Sequence, residues 1–314
     1  MIYRLLIVAA TVIWGSSFVI VKDVTTYMTP AWLLFIRFLG ASLILALVFL
    51  KYRQFYFKKD HILYGALFGL ALFTAYYVQT QGIIYTTPGK NAFLTGTYCV
   101  MVPFLAWAVT KRRPTKFNLL AAFLCIVGVG FISLNGDAGV NIGDVLTLGC
   151  AVFYAIHIVL VSKFSPGRNI FVLTMWQFFF VAVLSAVVGL VSEPAPAILA
   201  SMQPEQFIQL AYLTVACTAL ALLFQNIGQA NIPPASASLL LSLESPFGVF
   251  FSVLAGAEVL TGQIVFGFVL VFAAIVVSEV LPEKMKGKVE AEAAAEDSAK
   301  QVEAPDGAPC AQVE

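Results

Sequence analysis

Charged residues are scarce in this sequence. Only 11% of its 314 residues are Asp, Glu, Lys or Arg, whereas about a quarter of a soluble domain is charged. Hydrophobic residues make up 60%, and the mean hydropathy is +0.91. This composition excludes an ordinary soluble domain and predicts a protein with many membrane spans. A net charge of +1 gives no indication of a nucleic-acid partner.

Histidine and cysteine are also rare. The two histidines, His61 and His157, are too few for a typical histidine-rich metal centre. The five cysteines are an odd number and include no Cys-x-x-Cys spacing, so no disulfide framework is indicated. Four of them lie in apolar runs and are interpreted as small membrane residues: Cys99, Cys125, Cys150 and Cys217. The sequence predicts no cofactor and no metal.

The sequence has none of the common enzyme motifs. The Walker A loop is missing, so ATP does not drive this chain directly. The HExxH and GxSxG motifs are missing as well. The chain is therefore predicted not to be an enzyme, although an intramembrane enzyme and a membrane scaffold stay open as alternatives.

Long apolar runs fill most of the chain. Each approaches the ~20 residues that a helix needs to cross a bilayer. The run after Arg4 shows no small-residue cleavage site, so it is predicted to be a retained first helix. Ten spans are predicted, near residues 2–22, 30–50, 62–84, 89–109, 117–135, 143–163, 169–190, 206–228, 234–256 and 261–281.

Basic residues concentrate in alternate loops. Loops rich in Lys and Arg face the cytoplasm, so ten spans place both termini in the cytoplasm. The segment 283–314 is polar and acidic, and it is predicted to be a disordered cytoplasmic tail. The basic loops contain Lys51, Arg53, Lys58 and Lys59, then Lys111, Arg112, Arg113 and Lys116, then Lys163 and Arg168.

The second half of the chain repeats the first. Residues 77–99, YVQTQGIIYTTPGKNAFLTGTYC, align without gaps with residues 223–245, LFQNIGQANIPPASASLLLSLES. Five spans per half is an odd number, so the second half enters the membrane from the opposite side. Inverted repeats of this kind are typical of secondary transporters, whose substrate site lies near the midplane between the halves. The predicted repeats are residues 1–136 and 137–282.

Small residues recur along one face of spans four and nine. Such a face lets helix backbones approach closely in lipid. Spans four and nine are therefore predicted to pack against each other through it. The aligned residues are Ala92, Gly96, Cys99 and Ala106 in span four, and Ser238, Ser242, Ser245 and Ser252 in span nine.

Four segments resemble the EamA-type members of the drug/metabolite transporter superfamily. The resemblance implies ten helices in an inverted five-plus-five repeat, and movement of small metabolites across a bacterial inner membrane. The family usually has Glu directly before Pro in span nine, whereas here Ser245 separates Glu244 from Pro246. The segments are WGSSFVIVK (Trp14–Lys22), RFLGASLILAL (Arg37–Leu47), AFLTGTYCVMVPFLAWAVTKRRPT (Ala92–Thr115) and SLLLSLESPFGVFFSVLAGAEVLTG (Ser238–Gly262).

Two charged residues fall inside predicted spans. Glu244 lies near the middle of span nine, where a carboxyl is costly unless it faces the bundle interior or a wet cavity. It either contacts substrate or carries a proton, or it locks span nine to a neighbour. The repeat pairs it with Tyr98, so the two are expected to flank one cavity. Arg37 lies deep in span two and is interpreted as a structural charge paired with Asp23, Glu244 or backbone carbonyls, with substrate contact as the alternative.

Further polar and aromatic residues inside the spans are candidates for substrate contact, with structural hydrogen bonding as the alternative for each. The repeat pairs Gln79 with Gln225 as gate-level contacts and Ser16 with His157. Tyr and Trp inside the spans suit a cavity for flat or amphipathic solutes. The full set of candidates is Trp14, Ser16, Tyr76, Tyr77, Gln79, Tyr98, Tyr154, His157, Trp176, Gln225 and Glu244.

The sequence thus predicts an all-α membrane transporter that works by alternating access of two inverted five-helix repeats. Its substrate would be a small organic solute such as an amino acid or aromatic metabolite, with protons as the candidate coupling ion. An uncoupled facilitator is the alternative within transport.

Overall fold

Helices account for the regular structure throughout the described part of the chain. A computed structural model describes residues 1–111, 113–133, 142–194 and 202–263, with short stretches between 265 and 281. The predicted tail, 283–314, lies outside these residues. The helices are α1 (Ile2–Val24), α2 (Pro30–Val48), α3 (Lys59–Tyr85), α4 (Pro88–Thr95), α5 (Tyr98–Thr110), α6 (Lys116–Ser133), α7 (Ile142–Phe164), α8 (Ile170–Ser192), α9 (Pro204–Tyr212), α10 (Ala221–Gln229), α11 (Pro234–Leu241) and α12 (Glu244–Leu254). A 3₁₀ helix, Leu50–Phe55, follows α2, and a π-helical segment, Leu213–Leu220, joins α9 to α10.

Eight helical segments in the described residues are long and apolar enough to cross a membrane. They are α1, α2, α3, α4 with α5, α7, α8, α9 through α10, and α11 with α12, and they coincide with predicted spans one to four and six to nine. The fifth and tenth predicted spans correspond to shorter apolar helices, Lys116–Gly128 and Val265–Ala274. The chain is therefore an all-helical, multi-pass membrane protein, and the count of ten spans stays a prediction.

Proline starts several of these helices. Pro30, Pro88, Pro204 and Pro234 are the first residues of α2, α4, α9 and α11. A proline at this position loses no hydrogen bond, because the first N–H groups of a helix have no acceptor within it. The residues before the prolines are extended, as the proline ring requires. The positions of these prolines therefore indicate where the four helices begin.

Helices from the first half pack mainly against helices from the second half. α3 lies along α7 and α8, α2 lies along α8, and α1 contacts α10 and α12. The paired glycines Gly82 and Gly228 lie at two of these contacts. A Cβ on Gly82 would lie 2.6 Å from Thr147 Oγ1, and one on Gly228 would lie 2.5 Å from Ile7 Cγ1. Only glycine allows these helix pairs to approach so closely.

Spans four and nine are both interrupted at aligned positions. α4 gives way to α5 at Gly96 and Thr97, and α11 gives way to α12 at Ser242 and Leu243. The backbone hydrogen bonds at the two breaks match: Cys99 N–H donates to Gly96 O at 3.2 Å, and Ser245 N–H donates to Ser242 O at 3.0 Å. These three-residue steps tighten each helix by a short 3₁₀-like turn. Each second half-helix therefore begins at an aligned polar residue, Tyr98 in α5 and Glu244 in α12.

The two interrupted spans touch through their small residues, which confirms the predicted contact. Ser245 Oγ in span nine donates to Ala92 O in span four at 3.0 Å. A Cβ on Gly96 would lie 2.2 Å from Ser245 Oγ, and one on Gly248 would lie 2.4 Å from the Cβ of Ala92. Pro246 falls in the first turn of α12, where it breaks no helical hydrogen bond. The break precedes Glu244, so the carboxyl lies at the start of a half-helix.

Candidate functional site

A small central cavity lies where the interrupted helices meet α1, α2, α3, α7 and α10. Its volume is about 40 Å³, which is room for about three water molecules. Both halves of the chain contribute to its wall. The lining residues are Trp14, Ser17, Phe18, Val21, Arg37, Tyr76, Gln79, Thr80, Ile83, Asn91, Tyr98, Tyr154, Ile158, Gln225, Leu241 and Glu244.

Seven of the predicted substrate-contact residues line this cavity: Trp14, Tyr76, Gln79, Tyr98, Tyr154, Gln225 and Glu244. The repeat alignment pairs Tyr98 with Glu244 and Gln79 with Gln225, and both members of each pair reach the same space. The two glutamines, predicted as gate-level or packing contacts, both line this cavity. The cavity is thus built from aligned positions of the two halves.

Glu244 is the acid of the cavity. Its side chain is only 6% exposed. The hydroxyl of Tyr98 is close enough to interact with the carboxyl, whereas Glu244 Oε1 is buried and has no hydrogen-bond partner among the described residues. A buried carboxyl oxygen without a partner costs free energy. Its position in the cavity wall leaves it available to a proton, a water or a solute.

Arg37 is the cation of the cavity, and its contacts differ from those predicted. Its Nε donates to Thr218 Oγ1 at 3.2 Å. Its guanidinium carbon lies 5.5 Å from the ring centroid of Tyr76 and 6.0 Å from that of Phe38. The expected pairing with Asp23, Glu244 or a backbone carbonyl is wrong, because the cation is held by a hydroxyl and two aromatic rings. The charge therefore remains without a carboxylate partner in the described residues.

The π-helical segment Leu213–Leu220 shapes the wall next to Arg37. A π-turn shifts the helical hydrogen bonds from the fourth to the fifth residue, which releases a backbone carbonyl. The released carbonyl of Cys217 accepts the indole N–H of Trp14 at 2.8 Å. Thr218 donates its hydroxyl to Leu213 O at 2.7 Å, which leaves its oxygen free to accept from Arg37. Trp14 and Arg37 are thus both positioned by this one distortion.

Aromatic and amide side chains form a further part of the wall. Tyr154 donates its hydroxyl to Gln79 Oε1 at 2.8 Å, and Gln79 Nε2 donates to Thr95 Oγ1 at 2.9 Å. The rings of Tyr76 and Tyr154 pack edge to face, with centroids 5.4 Å apart. These contacts fix the tyrosines in place. The cavity therefore has rigid aromatic walls between its cation and its acid.

The other four predicted residues lie outside this cavity and bond elsewhere in the protein. Ser16 Oγ bonds to the hydroxyl of Tyr212 at 2.7 Å. Tyr77 lies beside Gln81, whose Nε2 donates to the Tyr77 hydroxyl at 3.1 Å. Trp176 Nε1 donates to a backbone carbonyl, Tyr56 O, at 2.7 Å. Each of these groups is occupied by a partner within the protein.

His157 belongs to a separate buried network. Its Nε2 lies 3.1 Å from Gln177 Oε1, and both residues are fully buried. The amide of Asn226 donates to Thr174 Oγ1 at 2.9 Å and approaches Gln177 Oε1 at 3.5 Å. The network joins α7, α8 and α10. It corresponds to the structural alternative for His157.

Asn91, Ser17 and Thr80 also line the cavity but were not among the candidates. Asn91 Nδ2 donates to Thr147 Oγ1 at 2.8 Å, and its Oδ1 has no partner among the described residues. Asn91 is fully buried. An amide inside an apolar span is itself a signal of an inward-facing position, and that signal could have identified Asn91.

The end of the bundle opposite the basic loops is held by polar contacts. Lys22 Nζ donates to the carbonyls of Ile83, Ile84 and Thr86 at 2.8, 2.9 and 3.0 Å. These contacts cap the C-terminus of α3.

In the loop after α1, Tyr27 donates its hydroxyl to Gln209 Oε1 at 2.8 Å. Burial, together with the nearby carboxylates of Asp23 and Glu205, raises the pKa of Tyr27 to about 12, so this donor keeps its proton at physiological pH.

The fold and the cavity define an all-helical membrane protein with a polar, aromatic-walled space inside its helix bundle. Comparison with protein families gives a match to the EamA-like transporter family over residues 1–134 and again over residues 141–279. The chain therefore belongs to the EamA-like transporter family.

Two relatives agree with this membership, and a solved structure shares the fold. An uncharacterized transporter of Archaeoglobus fulgidus is 36% identical over 269 residues, which is 85% of this chain and 82% of the relative. A second uncharacterized transporter of the same organism is 27% identical over 258 residues, 79% of this chain and 87% of the relative. One crystal structure matches with a TM-score of 0.73 at 15% identity, covering 90% of this chain and 98% of that chain. That likeness concerns the fold alone.

Proposed function

We propose that this protein is a secondary transporter that moves a small organic solute across the membrane by alternating access of two inverted five-helix repeats. The central cavity carries the proposal, because it lies where two helices break at aligned positions. Half-helix ends near the midplane form the substrate sites of many transporters with inverted repeats. The repeat is supported by two observations. The family model matches each half of the chain separately, and helices of the first half pack mainly against helices of the second half.

The lining of the cavity favours a solute with both polar and aromatic character, such as an amino acid or aromatic metabolite. Among the described residues, Arg37 offers a cation without a carboxylate partner, and Glu244 offers an oxygen without a hydrogen-bond partner. Tyr76, Tyr98 and Tyr154 provide flat surfaces between them. A carboxylate would bind at Arg37 and an ammonium or hydroxyl group at Glu244. Because the cavity holds only a few waters, it must widen during the cycle to admit such a solute.

The two moving repeats are proposed to be residues 1–136 and 137–282. The proposed location is the bacterial inner membrane. Both termini are placed in the cytoplasm, because the loops rich in Lys and Arg lie on one side of the predicted spans.

Glu244 is the proposed proton carrier. A carboxyl that is buried and reachable from the cavity can bind a proton in one state and release it in another. Coupling would then use the pH difference across the membrane.

The test is flux in proteoliposomes containing the purified protein. Labelled amino acids and aromatic metabolites are added outside, with and without an imposed pH difference. The proposal expects saturable uptake of at least one solute above that of protein-free liposomes. Accumulation that depends on the pH difference indicates coupling, whereas equilibration without accumulation indicates an uncoupled facilitator. Absence of uptake for every solute in both orientations would contradict transport.

A further inference from the structure

A second cleft, separate from the central cavity, opens at the basic-loop end of the bundle. It measures about 600 Å³ and lies where the segment before α3 meets the segment before α8. No residue lines both the cleft and the central cavity. The polar residues of the cleft are Lys58, Lys59, Asp60, His61, Arg168 and Asn169.

His61 presents a buried hydrogen-bond donor in this cleft. The backbone N–H of Asn169 donates to His61 Nε2 at 3.1 Å. Because a backbone N–H can only donate, Nε2 must carry a lone pair, and the proton of the neutral ring is on Nδ1. His61 is only 5% exposed, and its Nδ1 has no partner among the described residues. The cleft therefore contains a buried N–H group that lacks an acceptor.

Arg168 contributes a second donor of this kind. Its guanidinium stacks on the ring of Tyr64 at 4.0 Å, and its Nη1 donates to Phe164 O at 2.8 Å. These contacts hold the planar group in one orientation. Arg168 Nε is buried and has no partner among the described residues. Two unsatisfied donors from different halves of the chain thus line one cleft.

The charge of the cleft favours an anion. Lys58, Lys59 and Arg168 supply three positive charges and Asp60 one negative charge, a net +2 with His61 neutral. Asp60 pairs with Arg168, with its Oδ2 3.8 Å from Arg168 Nη2, but its side chain is 71% exposed, so this ion pair is weak and leaves the site with a net positive charge. The N-terminus of α3 also lies here, and helix N-termini attract anions; the first N–H groups of α8 are already occupied, because Phe171 and Val172 donate to Asn169 Oδ1.

We propose that this cleft binds a phosphate-type anion, either as the headgroup of an anionic phospholipid or as a free phosphate. The anion would accept from His61 Nδ1 and Arg168 Nε, while Lys58 and Lys59 balance its charge. Basic pockets between membrane helices commonly hold lipid headgroups. Bound there, the anion would join α3 of the first half to α8 of the second half. This site is independent of the central cavity and of the solute that the cavity takes.

The test measures thermal unfolding of the purified full-length protein in a neutral detergent. Inorganic phosphate is titrated against sodium chloride at equal ionic strength, and phosphatidylglycerol is titrated against phosphatidylcholine in mixed micelles. The proposal expects a saturable rise in the unfolding midpoint. A rise with inorganic phosphate identifies a free phosphate site, and a rise only with phosphatidylglycerol identifies a headgroup site. No rise with either probe overturns the proposal.

Two sets of variants assign the effect to the cleft. The variant Arg168→Gln removes the oriented hydrogen-bond donors. The double variant Lys58→Gln/Lys59→Gln removes two exposed charges, and it provides the test if Arg168→Gln does not fold. Each is expected to weaken the apparent affinity about tenfold. The matched control, Lys51→Gln/Arg53→Gln, removes two charges from the neighbouring 3₁₀ helix and should leave the affinity unchanged. An equal loss in the control would show non-specific charge attraction and overturn the site.

Discussion

Replacing Glu244 by glutamine separates a proton carrier from a structural contact. Glutamine keeps the shape of the side chain and can still bond to Tyr98, but it cannot take up or release a proton. If Glu244 couples transport to protons, Glu244→Gln should fold and bind solute yet lose accumulation driven by a pH difference. One proton per solute at a difference of one pH unit supplies about 1.4 kcal/mol, or about tenfold accumulation. The variant should therefore fall from about tenfold accumulation to simple equilibration.

The contacts of Glu244 predict a small effect of this change on stability. The hydroxyl of Tyr98 lies close to the carboxyl, and even a full hydrogen bond between the two groups would contribute only about 0.5–1.5 kcal/mol net. Against this, the buried Oε1 without a partner costs about 1–3 kcal/mol. The balance is near zero or unfavourable. Glu244→Leu, which removes both terms, should therefore leave the unfolding midpoint unchanged or raise it while abolishing coupled transport.

The assays are accumulation of labelled solute in proteoliposomes and thermal unfolding in detergent. Glu205→Gln is the matched control, because it removes a carboxyl that is exposed and outside the cavity; it should transport like the parent protein. A structural contact worth about 3 kcal/mol would instead lower the unfolding midpoint of Glu244→Leu by roughly 6 °C or more. That result, together with normal pH-driven accumulation in Glu244→Gln, would refute the coupling role and leave Glu244 as a contact between helices.

Three further predictions address other parts of the molecule. Lys22→Met removes three charge-assisted hydrogen bonds to the end of α3 and should lower the free energy of unfolding by about 1.5–3 kcal/mol. The control is Lys163→Met: the Lys163 ammonium lies over the Phe164 ring, so its loss should cost less than 1 kcal/mol. Equal losses in thermal unfolding would contradict this account of the α3 end. Arg113→Cys, in a background without native cysteines, should resist impermeant thiol reagents added outside intact cells; ready labelling would reverse the predicted orientation. Deletion after residue 288 should preserve expression and flux, and lost transport at normal expression would show that the tail takes part in function.

Much of the helix layout follows from the sequence. Length and apolarity determine which segments cross the membrane, and eight of the predicted spans coincide with helices that meet both conditions. Prolines at helix starts restrict the boundaries further. The ungapped alignment of residues 77–99 with 223–245 also pairs Tyr98 with Glu244, which line one cavity in the structure. These features depend on local composition and on repetition along the chain, and both can be read from the amino-acid sequence.

The distortions inside the spans could not be predicted in the same way. Gly96 and Ser242 look like further small residues of a packing face, and nothing in LTVACTAL, residues 213–220, marks a π-helical turn. The π-helical turn is stabilised because another helix supplies a partner for the released backbone carbonyl. Trp14 lies about two hundred residues from the Cys217 carbonyl that it binds. The same reason explains why the partner of Arg37, Thr218, could not be identified in advance.

The chemistry of the cavity is less symmetric than its construction. The alignment of residues 77–99 with 223–245 pairs Tyr98 with Glu244, and matching IRF at Ile36–Phe38 with WQF at Trp176–Phe178 pairs Arg37 with Gln177. Gln177 does not line the cavity, and Tyr98 contributes a hydroxyl in place of a carboxyl. If aligned positions carried identical residues, a solute could bind equally well in two opposite orientations. Here the cation comes from the first half and the acid from the second, so under the proposed function a dipolar solute would have one favoured orientation between Arg37 and Glu244. The repeat would then supply the alternation between the two sides, and the unequal residues would supply the recognition.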